Sequence, residues 1–323
     1  MTQLRPLGKS DIKLSPLGLG CWQFSKGNNP IGKYWSTLED EDMKAIIQTS
    51  LDGGINWFDT AEIYGKGESE RTLASTLDKL DVPFEDALIA TKWWPLMRKA
   101  ESITQTIHAR MDALNQRPIS LYQVHQPFSL SSVQRQMEEM ASLIDKGLIQ
   151  SVGVSNFSAK AMREAHAVLE SYGIPLVSNQ VKYSLLDRSI EKNGVLDAAK
   201  ELGISIIAYS PLEQGLLTGK YHDDQELFKS LSGPRKYMGK YKGKQLEKTR
   251  SLIELMRDLA SKYNVTISQV ALNWMIHYHG ETVFVIPGAS KVKHAKENVG
   301  AMSFKLSDTE LLQLSDEAWR VGK

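Results

Sequence analysis

Four side chains of this sequence have the types and the spacing that proton transfer requires. Asp59 follows an apolar pair at the point where a buried strand is predicted to reach the surface, and Tyr64 comes five positions later. A free tyrosine titrates near ~10, so a tyrosine that donates a proton near neutral pH needs a neighbouring cation that stabilises the phenolate. Lys92 ends another short apolar run and is the candidate for that cation.

His125 ends a third apolar run of the same kind. The runs at 55–59, 88–92 and 120–125 are successive strand candidates, and each is followed by a helical pattern. In a barrel of parallel strands the carboxyl ends of the strands meet at one face, where the catalytic residues of such enzymes lie. Each of the four residues alone has an ordinary structural explanation, such as a helix cap or a solvated side chain. Their joint placement at three consecutive strand ends favours catalysis.

The elements that would position these residues alternate along the chain. Eight strand candidates lie at 17–20, 55–59, 88–92, 120–125, 149–155, 176–181, 205–209 and 283–287. Between them, apolar residues recur three and four apart, as in amphipathic helices. Strands that alternate with helices form parallel sheets with right-handed crossovers, and eight such units predict an α/β fold closed into a (β/α)8 TIM barrel. An open, doubly wound sheet is the structural alternative. Since no linker-like change of composition occurs, we expect one domain over residues 1–323.

Several segments are predicted to add to the eight units. Residues 4–14 are predicted to form a β-hairpin that caps one end of the barrel, because turn residues separate two short apolar runs. Capping boxes that begin at Ser36 and Ser307 predict helix starts, and an additional helix is expected around 266–277. Residues 210–244 are too many for an ordinary connection, and their glycines favour a loop that covers the cofactor.

Composition excludes several classes of function. Lysine and arginine number 39 against 38 acidic residues, a formal charge of +1, so no global field would attract nucleic acid or a membrane surface. Cys21 is the single cysteine, which excludes an internal disulfide, and neither a signal peptide nor a membrane span is visible, so we expect a cytoplasmic protein. The seven histidines form no metal-binding motif, and we expect no metal site.

Two glycine-rich stretches resemble nucleotide-binding motifs but do not match their spacing. Gly18 and Gly20 lack the third glycine of a dinucleotide fingerprint, and a polar loop follows them in place of a helix. In the stretch 215–220 the glycines are four apart rather than five, and Tyr221 stands where a phosphate loop has Ser or Thr. A barrel can instead bind phosphates through the loops after its seventh and eighth strands and an adjoining helix N-terminus.

Asp59, Tyr64, Lys92 and His125, in that order, resemble the catalytic tetrad of the aldo-keto reductase family. The resemblance covers nearly the whole chain and is most specific at 56–65, 151–158, 209–220 and 286–298. It is strongest toward the branch that includes bacterial stress-type reductases and potassium-channel β subunits.

The resemblance implies a nicotinamide cofactor and a set of residues that hold it. Ser155, Asn156 and Gln180 would hold the nicotinamide carboxamide, and Tyr209 would stack on the ring. The pyrophosphate would lie among Ser210, Pro211, Leu212, Gly215, Leu217, Gly219 and Lys220, and the adenosine end among Gly288, Ser290, His294, Glu297 and Asn298. Cys21, Trp22, Asp59 and Arg235 complete the set.

The resemblance also implies the reduction of an aldehyde or ketone, a small-molecule carbonyl substrate. Tyr64 would protonate the alkoxide, Lys92 would lower the Tyr64 pKa, Asp59 would hold Lys92, and His125 would orient the carbonyl. One alternative is a cofactor-binding regulatory subunit with weak turnover, like the channel β subunits, but that branch typically has Asn in place of His125. Another is a barrel enzyme of unrelated chemistry, such as an isomerase, which would leave the two cofactor-like loops unexplained. The oligomeric state stays open.

Charge and aromatic residues add predictions about cofactor and substrate. Seven cations against Glu247 fall within 235–250, and the helix after the eighth strand opens with a second basic cluster. Since a helix N-terminus is positive and a 2′-phosphate adds negative charge, we predict NADP (NADPH) in preference to NAD.

Four tryptophans near strand exits predict an aromatic-walled pocket for apolar or aromatic aldehydes. They are Trp22, Trp35, Trp93 and Trp94, of which the last two point opposite ways if both lie in a strand.

Overall fold

The computed structural model describes residues 3–25, 38–224, 226–227 and 243–322. The predictions for Trp35, Ser36 and Arg235, and for most of the basic cluster within 235–250, lie outside the described residues, as does much of the expected covering loop. Within the described ranges, no helix combines the length and the apolar character that crossing a membrane requires.

Eight parallel strands form the centre of the molecule, each paired with its neighbours in sequence. They are β3 (Leu19–Gly20), β4 (Trp57–Asp59), β5 (Leu88–Trp93), β6 (Ile119–Val124), β7 (Val152–Ser155), β8 (Leu176–Lys182), β9 (Ser205–Tyr209) and β10 (Val283–Val285). Every residue of β4, β6, β7 and β10 is buried, as expected for strands covered on both faces.

The sheet closes on itself between β3 and β10. The N–H of Gly18 donates to the Val285 carbonyl over 2.9 Å, and the N–H of Val285 donates to the Pro16 carbonyl over 3.0 Å. Parallel bridges join Leu17 to Val285 and Gly20 to Gly288. An open sheet would leave these two edges unpaired, so the predicted barrel is confirmed.

Helices follow the strands and cover the outside of the barrel. They are α1 (Asp40–Asp52), α2 (Glu68–Lys79), α3 (Ser102–Ala113), α4 (Val133–Asp145), α5 (Ala159–Glu170), α6 (Val195–Leu202), α7 (Lys220–Asp223), α8 (Gly243–Tyr263), α9 (Ile267–His277), α10 (Val292–Gly300) and α11 (Asp308–Gly322). The additional helix α9 starts with a complete capping box of Thr266 and Gln269. The box predicted at Ser307 and Glu310 is also formed, with hydrogen bonds in both directions.

The predicted N-terminal hairpin consists of β1 (Arg5–Pro6) and β2 (Lys13–Leu14), which pair antiparallel. Its apolar side chains join an interior plug made of Leu7, Leu14, Trp57, Ala90, Leu121, Val177, Ile207, Phe284 and Ile286. Gly8 turns the hairpin with a φ of +55°, and a Cβ there would lie 2.5 Å from the Val177 carbonyl oxygen. The hairpin therefore caps the end of the barrel opposite the strand exits.

Two predicted details are wrong. The helix α1 begins at Asp40 with Glu39 as its N-cap, whereas the predicted box placed Glu39 inside the first turn. Three acidic residues follow Glu39, and acidic side chains in the first turn interact favourably with the helix dipole. The described part of the segment after β9 was expected to belong to a loop, but it contains 3-10 turns over Glu213–Thr218, interrupted by the non-helical Gln214 and Gly215, and then α7.

Candidate active site

Asp59, Tyr64 and Lys92 meet at the face where the strands end. Lys92 Nζ donates to Asp59 Oδ1 over 2.5 Å and to the Thr60 carbonyl oxygen over 2.7 Å. Both side chains of this ion pair are buried, with exposures of 0% and 2%. Tyr64 lies in the loop between β4 and α2, where Lys92 Nζ is 5.2 Å from its ring centroid. The structure thus brings three of the four predicted catalytic residues into contact.

Burial and charge compete in setting the proton affinities of this cluster. Burial alone would lower the pKa of Lys92, but the facing Asp59 and Tyr64 outweigh it and raise that pKa. Burial raises the pKa of Tyr64, and the Lys92 ammonium opposes the rise only in part. Lys92 therefore lowers the pKa of Tyr64 relative to burial alone, as expected, but the net shift of that pKa is upward.

His125 lies directly after β6 and faces the same cluster. Its ring centroid is 5.7 Å from that of Tyr64 and 5.1 Å from that of Trp94, with both pairs edge to face. Burial, with a further effect of the Lys92 charge, holds the pKa of the His125 imidazole well below its usual value. The imidazole is therefore neutral near physiological pH. Its Nδ1 is buried and has no hydrogen-bond partner among the described residues.

The second oxygen of the Asp59 carboxylate is held by two amides. Gln180 Nε2 donates to Asp59 Oδ2 over 2.8 Å, and Gln123 Nε2 lies 3.4 Å from the same atom. Gln180 was expected to hold the nicotinamide carboxamide. Through its hydrogen bond to Asp59, the predicted nicotinamide position is in direct contact with the Lys92–Asp59 ion pair. The role of Gln123 was not predicted.

A cavity of about 1050 Å³ opens beside these residues and contains most of the predicted cofactor positions. Those that line it are Cys21, Trp22, Asp59, Ser155, Asn156, Gln180, Tyr209, Ser210, Pro211, Leu212, Gly215, Lys220, Gly288, Ser290, His294, Glu297 and Asn298. Leu217 instead lies fully buried in the hydrophobic core, and Gly219 turns the chain beside Ile267. Neither of these two lines the cavity, because the 3-10 helix directs successive residues to different sides.

A chain of hydrogen bonds orders the cavity wall between β7 and β9. The Tyr209 hydroxyl donates to Asn156 Oδ1 over 2.9 Å, and Asn156 Nδ2 donates to Ser155 Oγ over 3.0 Å. Ser155 Oγ donates in turn to the Gln180 carbonyl oxygen over 2.9 Å. Asn156 adopts a φ of +61°, a left-handed conformation that asparagine tolerates better than most residues. The four predicted nicotinamide residues therefore form one connected wall.

The far part of the cavity is positively charged. Lys220, Lys293 and Arg257 line it, with Glu297 as the acidic residue among them. His294 Nδ1 lies 3.3 Å from the Ser290 N–H, and burial together with the neighbouring lysines lowers the pKa of His294. This arrangement, beside the N-terminus of α10, is suited to an anion.

Some lining residues were missed by the sequence reasoning. They include Gln23, Gln126, Gln214, Thr218, Arg257, Asn264, Thr266 and Ser268. The capping box at Thr266 was an available signal, since a helix N-terminus is a potential anion-binding surface. Nothing in the local sequence distinguishes Arg257 from other cations on a helix surface.

The lining fits a dinucleotide. Gln23 Oε1 and Asn298 Nδ2 are buried without a hydrogen-bond partner in the described part of the chain. Both residues line the cavity, so a ligand that carries donors and acceptors would satisfy polar atoms that are otherwise costly to bury. No group of His, Cys, Asp or Glu within the described ranges could hold a metal ion.

Comparison with known proteins decides the family. The model of the aldo/keto reductase family matches residues 16–318. This chain belongs to the aldo-keto reductase family. Aldo-keto reductases are oxidoreductases that use a nicotinamide cofactor, and this chain shares that general activity.

Aldo-keto reductase relatives match along almost their full length. The chloroplastic pyridoxal reductase of Arabidopsis thaliana is 32% identical over 94% of this chain and 83% of its own. An uncharacterized oxidoreductase of Mycobacterium tuberculosis is 36% identical over 95% of this chain and 90% of its own. Among solved structures, the glycerol dehydrogenase of Gluconobacter oxydans has a TM-score of 0.83 at 25% identity, covering 99% of this chain and 96% of its own. A thermostable aldo-keto reductase has a TM-score of 0.77 at 26% identity, covering 98% and 100%.

Proposed function

We propose that this aldo-keto reductase is an NADPH-dependent enzyme that reduces aldehydes or ketones to alcohols, with Tyr64 as the general acid. The observation that carries the proposal is the placement of Lys92 Nζ, from a buried Lys92–Asp59 ion pair, 5.2 Å from the centroid of the Tyr64 ring at the wall of the cavity. Near Tyr64, His125 faces the same space. A proton donor, a cation that stabilises its anion and a neutral hydrogen-bonding ring are the groups that carbonyl reduction requires.

Tyr64 donates the proton in this proposal. The reduced nicotinamide, when bound, supplies the hydride to the carbonyl carbon. Because burial raises the pKa of Tyr64, its phenol is protonated at neutral pH and available to the developing alkoxide. The Lys92 ammonium stabilises the phenolate that remains after the transfer, and Asp59 keeps this ammonium charged and in place.

His125 orients the carbonyl group. The imidazole is neutral, because burial and the charge of Lys92 lower its pKa. A neutral ring can donate one hydrogen bond without placing a second positive charge beside Lys92. Its edge contacts with Tyr64 and Trp94 restrict where the carbonyl oxygen can lie.

The cofactor residues and the compartment belong to the same proposal. The wall of Ser155, Asn156, Gln180 and Tyr209 would hold the nicotinamide, and Lys220 with the N-terminal turn of α10 the phosphates. Glu297 and Asn298, one turn further along α10, would hold the adenosine end. Cys21 is a buried free thiol, which fits a reducing compartment such as the cytoplasm.

Aromatic aldehydes are the proposed substrates. Trp22 lies 6.2 Å from the Tyr64 ring, and Trp94 flanks His125. Trp93 points into the core, so of these two neighbours Trp94 alone can face a substrate. Because a similar chain is a pyridoxal reductase, pyridoxal belongs in the substrate panel together with benzaldehyde.

The test compares Tyr64→Phe with Tyr172→Phe, a change at an exposed tyrosine. Tyr64→Phe should lower kcat for aldehyde reduction by about 10²–10⁴-fold, because the proton donor is lost. The dissociation constant for NADPH should stay within about twofold, and Tyr172→Phe should match the wild type. Turnover of Tyr64→Phe close to wild type would remove Tyr64 from the mechanism. A wild-type chain that binds NADPH but reduces no aldehyde would instead favour the regulatory-subunit alternative.

A further inference from the structure

A partly buried network of charges lies beside the active site, and none of its residues lines the cavity. Arg110 Nη1 donates to Glu62 Oε2 over 2.9 Å, and Arg110 Nε lies 3.4 Å from Glu70 Oε2. Arg98 pairs with the other oxygen of Glu62. The Glu62 side chain is only 10% exposed. Burying such charges is costly unless all are paired, so the geometry of Glu62 is tightly determined.

Glu62 and Arg98 together hold the peptide groups of Trp94. The Trp94 N–H donates to Glu62 Oε1 over 2.5 Å, and Arg98 Nη1 donates to the Trp94 carbonyl oxygen over 3.1 Å. Trp94 is the first residue after β5, where the ladder of the sheet no longer supplies partners. The side chains of Glu62 and Arg98 therefore supply the hydrogen bonds to the Trp94 main chain that a neighbouring strand would otherwise make.

The main chain at this point decides which indole lies against His125, a residue that lines the cavity. Trp93 is fully buried, and its Nε1 donates to Ser102 Oγ over 3.0 Å. Trp94 points the other way and packs edge to face against His125 at 5.1 Å and Phe128 at 5.9 Å. A rotation of the peptide at Trp94 would withdraw its ring from His125, because side chain and main chain turn together.

We propose that Glu62 is a positioning residue that sets the aromatic wall of the substrate site by fixing the main chain of Trp94. This inference rests on the proposed reduction of aldehydes and adds a determinant of specificity. Glu62 also precedes Tyr64 by two residues, and its own N–H donates to the Lys92 carbonyl oxygen over 3.3 Å. This hydrogen bond is made by the main chain of Glu62 and does not depend on its carboxylate. Removing the carboxylate should therefore displace the Trp94 ring and leave the position of Tyr64, the proton donor, unchanged.

The test is the change Glu62→Ala, measured with benzaldehyde and with propanal. The KM for benzaldehyde should rise by at least about tenfold, while kcat/KM for propanal should stay within about twofold, since a small aldehyde does not need the Trp94 wall. Glu62→Gln retains an oxygen that accepts from the Trp94 N–H and should recover most of the benzaldehyde KM. Glu68→Gln, at a partly exposed carboxylate on the next turn, is the matched control.

Each outcome has a distinct meaning. A uniform loss of kcat for both aldehydes, or an unchanged ratio of their KM values, would overturn the role of Glu62. If Glu62→Ala does not fold, Arg98→Met removes the other support of the Trp94 peptide and must give the same selective rise in KM. A wild-type enzyme that reduces neither aldehyde would contradict the proposed function itself.

Discussion

Burial acts in opposite directions on Tyr64 and His125, and both directions suit carbonyl reduction. Burial disfavours the charged form of any group. The charged form of a tyrosine is the anion without the proton, so burial makes it hold its proton more tightly, whereas the charged form of a histidine is the protonated cation, so burial makes it lose its proton more easily. The pKa of Tyr64 is therefore raised and that of His125 lowered. Since the folded-state pKa of His125 lies below its usual value, its contribution to stability is present above about pH 6.5 and is lost as the pH falls.

Glu70 provides a stability prediction at the same scale. Its carboxyl is fully buried and accepts a hydrogen bond from Thr91 Oγ1 over 2.7 Å. Burial, opposed in part by Arg110, raises its pKa from 4.5 to about 7. With a folded-state pKa above the unfolded value, its contribution is fully present below about pH 4.5 and is lost as the pH rises through about 7.

The neutral isostere Glu70→Gln removes this dependence. The free energy of unfolding of the variant minus that of the wild type should therefore increase by about 2–3 kcal/mol between pH 5 and pH 8, because only the wild type loses stability as the pH rises. Urea unfolding at the two pH values measures the change, with Glu68→Gln as the control. An equal difference at both pH values would mean that Glu70 does not titrate in this range.

The N-terminal hairpin provides a prediction at the scale of elements. Gly8 and Gly147 have similar φ angles of +55° and +66°, but a Cβ at Gly8 would meet Val177 whereas one at Gly147 would contact nothing within 4 Å. The change Gly147→Ala should cost about 1–2 kcal/mol of unfolding free energy, from its backbone conformation alone. The change Gly8→Ala should cost about 1–3 kcal/mol more, because the hairpin must move away from the strand below. If urea unfolding shows that both changes reduce the unfolding free energy equally, the hairpin is not packed closely against the strand that contains Val177.

Residues placed by strand ends could be predicted from the sequence, and residues placed by helix packing could not. Asp59, Lys92 and His125 lie where their strands end, so an alternating pattern was sufficient to bring them to one face. Arg257 reaches the cavity from the last turns of α8, and its position depends on how that helix packs. Leu217 was misplaced for a related reason, because the helical turn after β9 directs it into the core.

The distribution of charge over the whole molecule yields the cofactor prediction. The formal charge is only +1, yet Lys220, Arg257 and Lys293 all line the cavity, where Arg257 pairs with Asp223 and Lys293 lies 3.8 Å from Glu297. Two charge-assisted hydrogen bonds of ~1.5–3 kcal/mol each would favour NADPH over NADH by about a hundredfold or more. Salt screens such exposed charges, so the two dissociation constants should converge at high ionic strength.

Tryptophan fluorescence titrations at two salt concentrations measure this preference. At low salt Lys293→Met should weaken NADPH binding several-fold and leave NADH binding unchanged, because only NADPH carries the additional phosphate. Lys160→Met, at an exposed lysine on α5, is the control for the loss of one positive charge. Equal wild-type affinities for NADPH and NADH at low salt would contradict the prediction.

The seam between β3 and β10 has a consequence for how the polypeptide is made. Gly20 and Gly288, which bridge there, come from opposite ends of the sequence, and both line the cavity. A ribosome releases the N-terminal strand first, so that strand has one edge without a partner until nearly the whole chain has emerged. Pairings of such long range are slow to form, and exposed strand edges promote aggregation during synthesis. The catalytic face is consequently among the last parts of the barrel to be assembled.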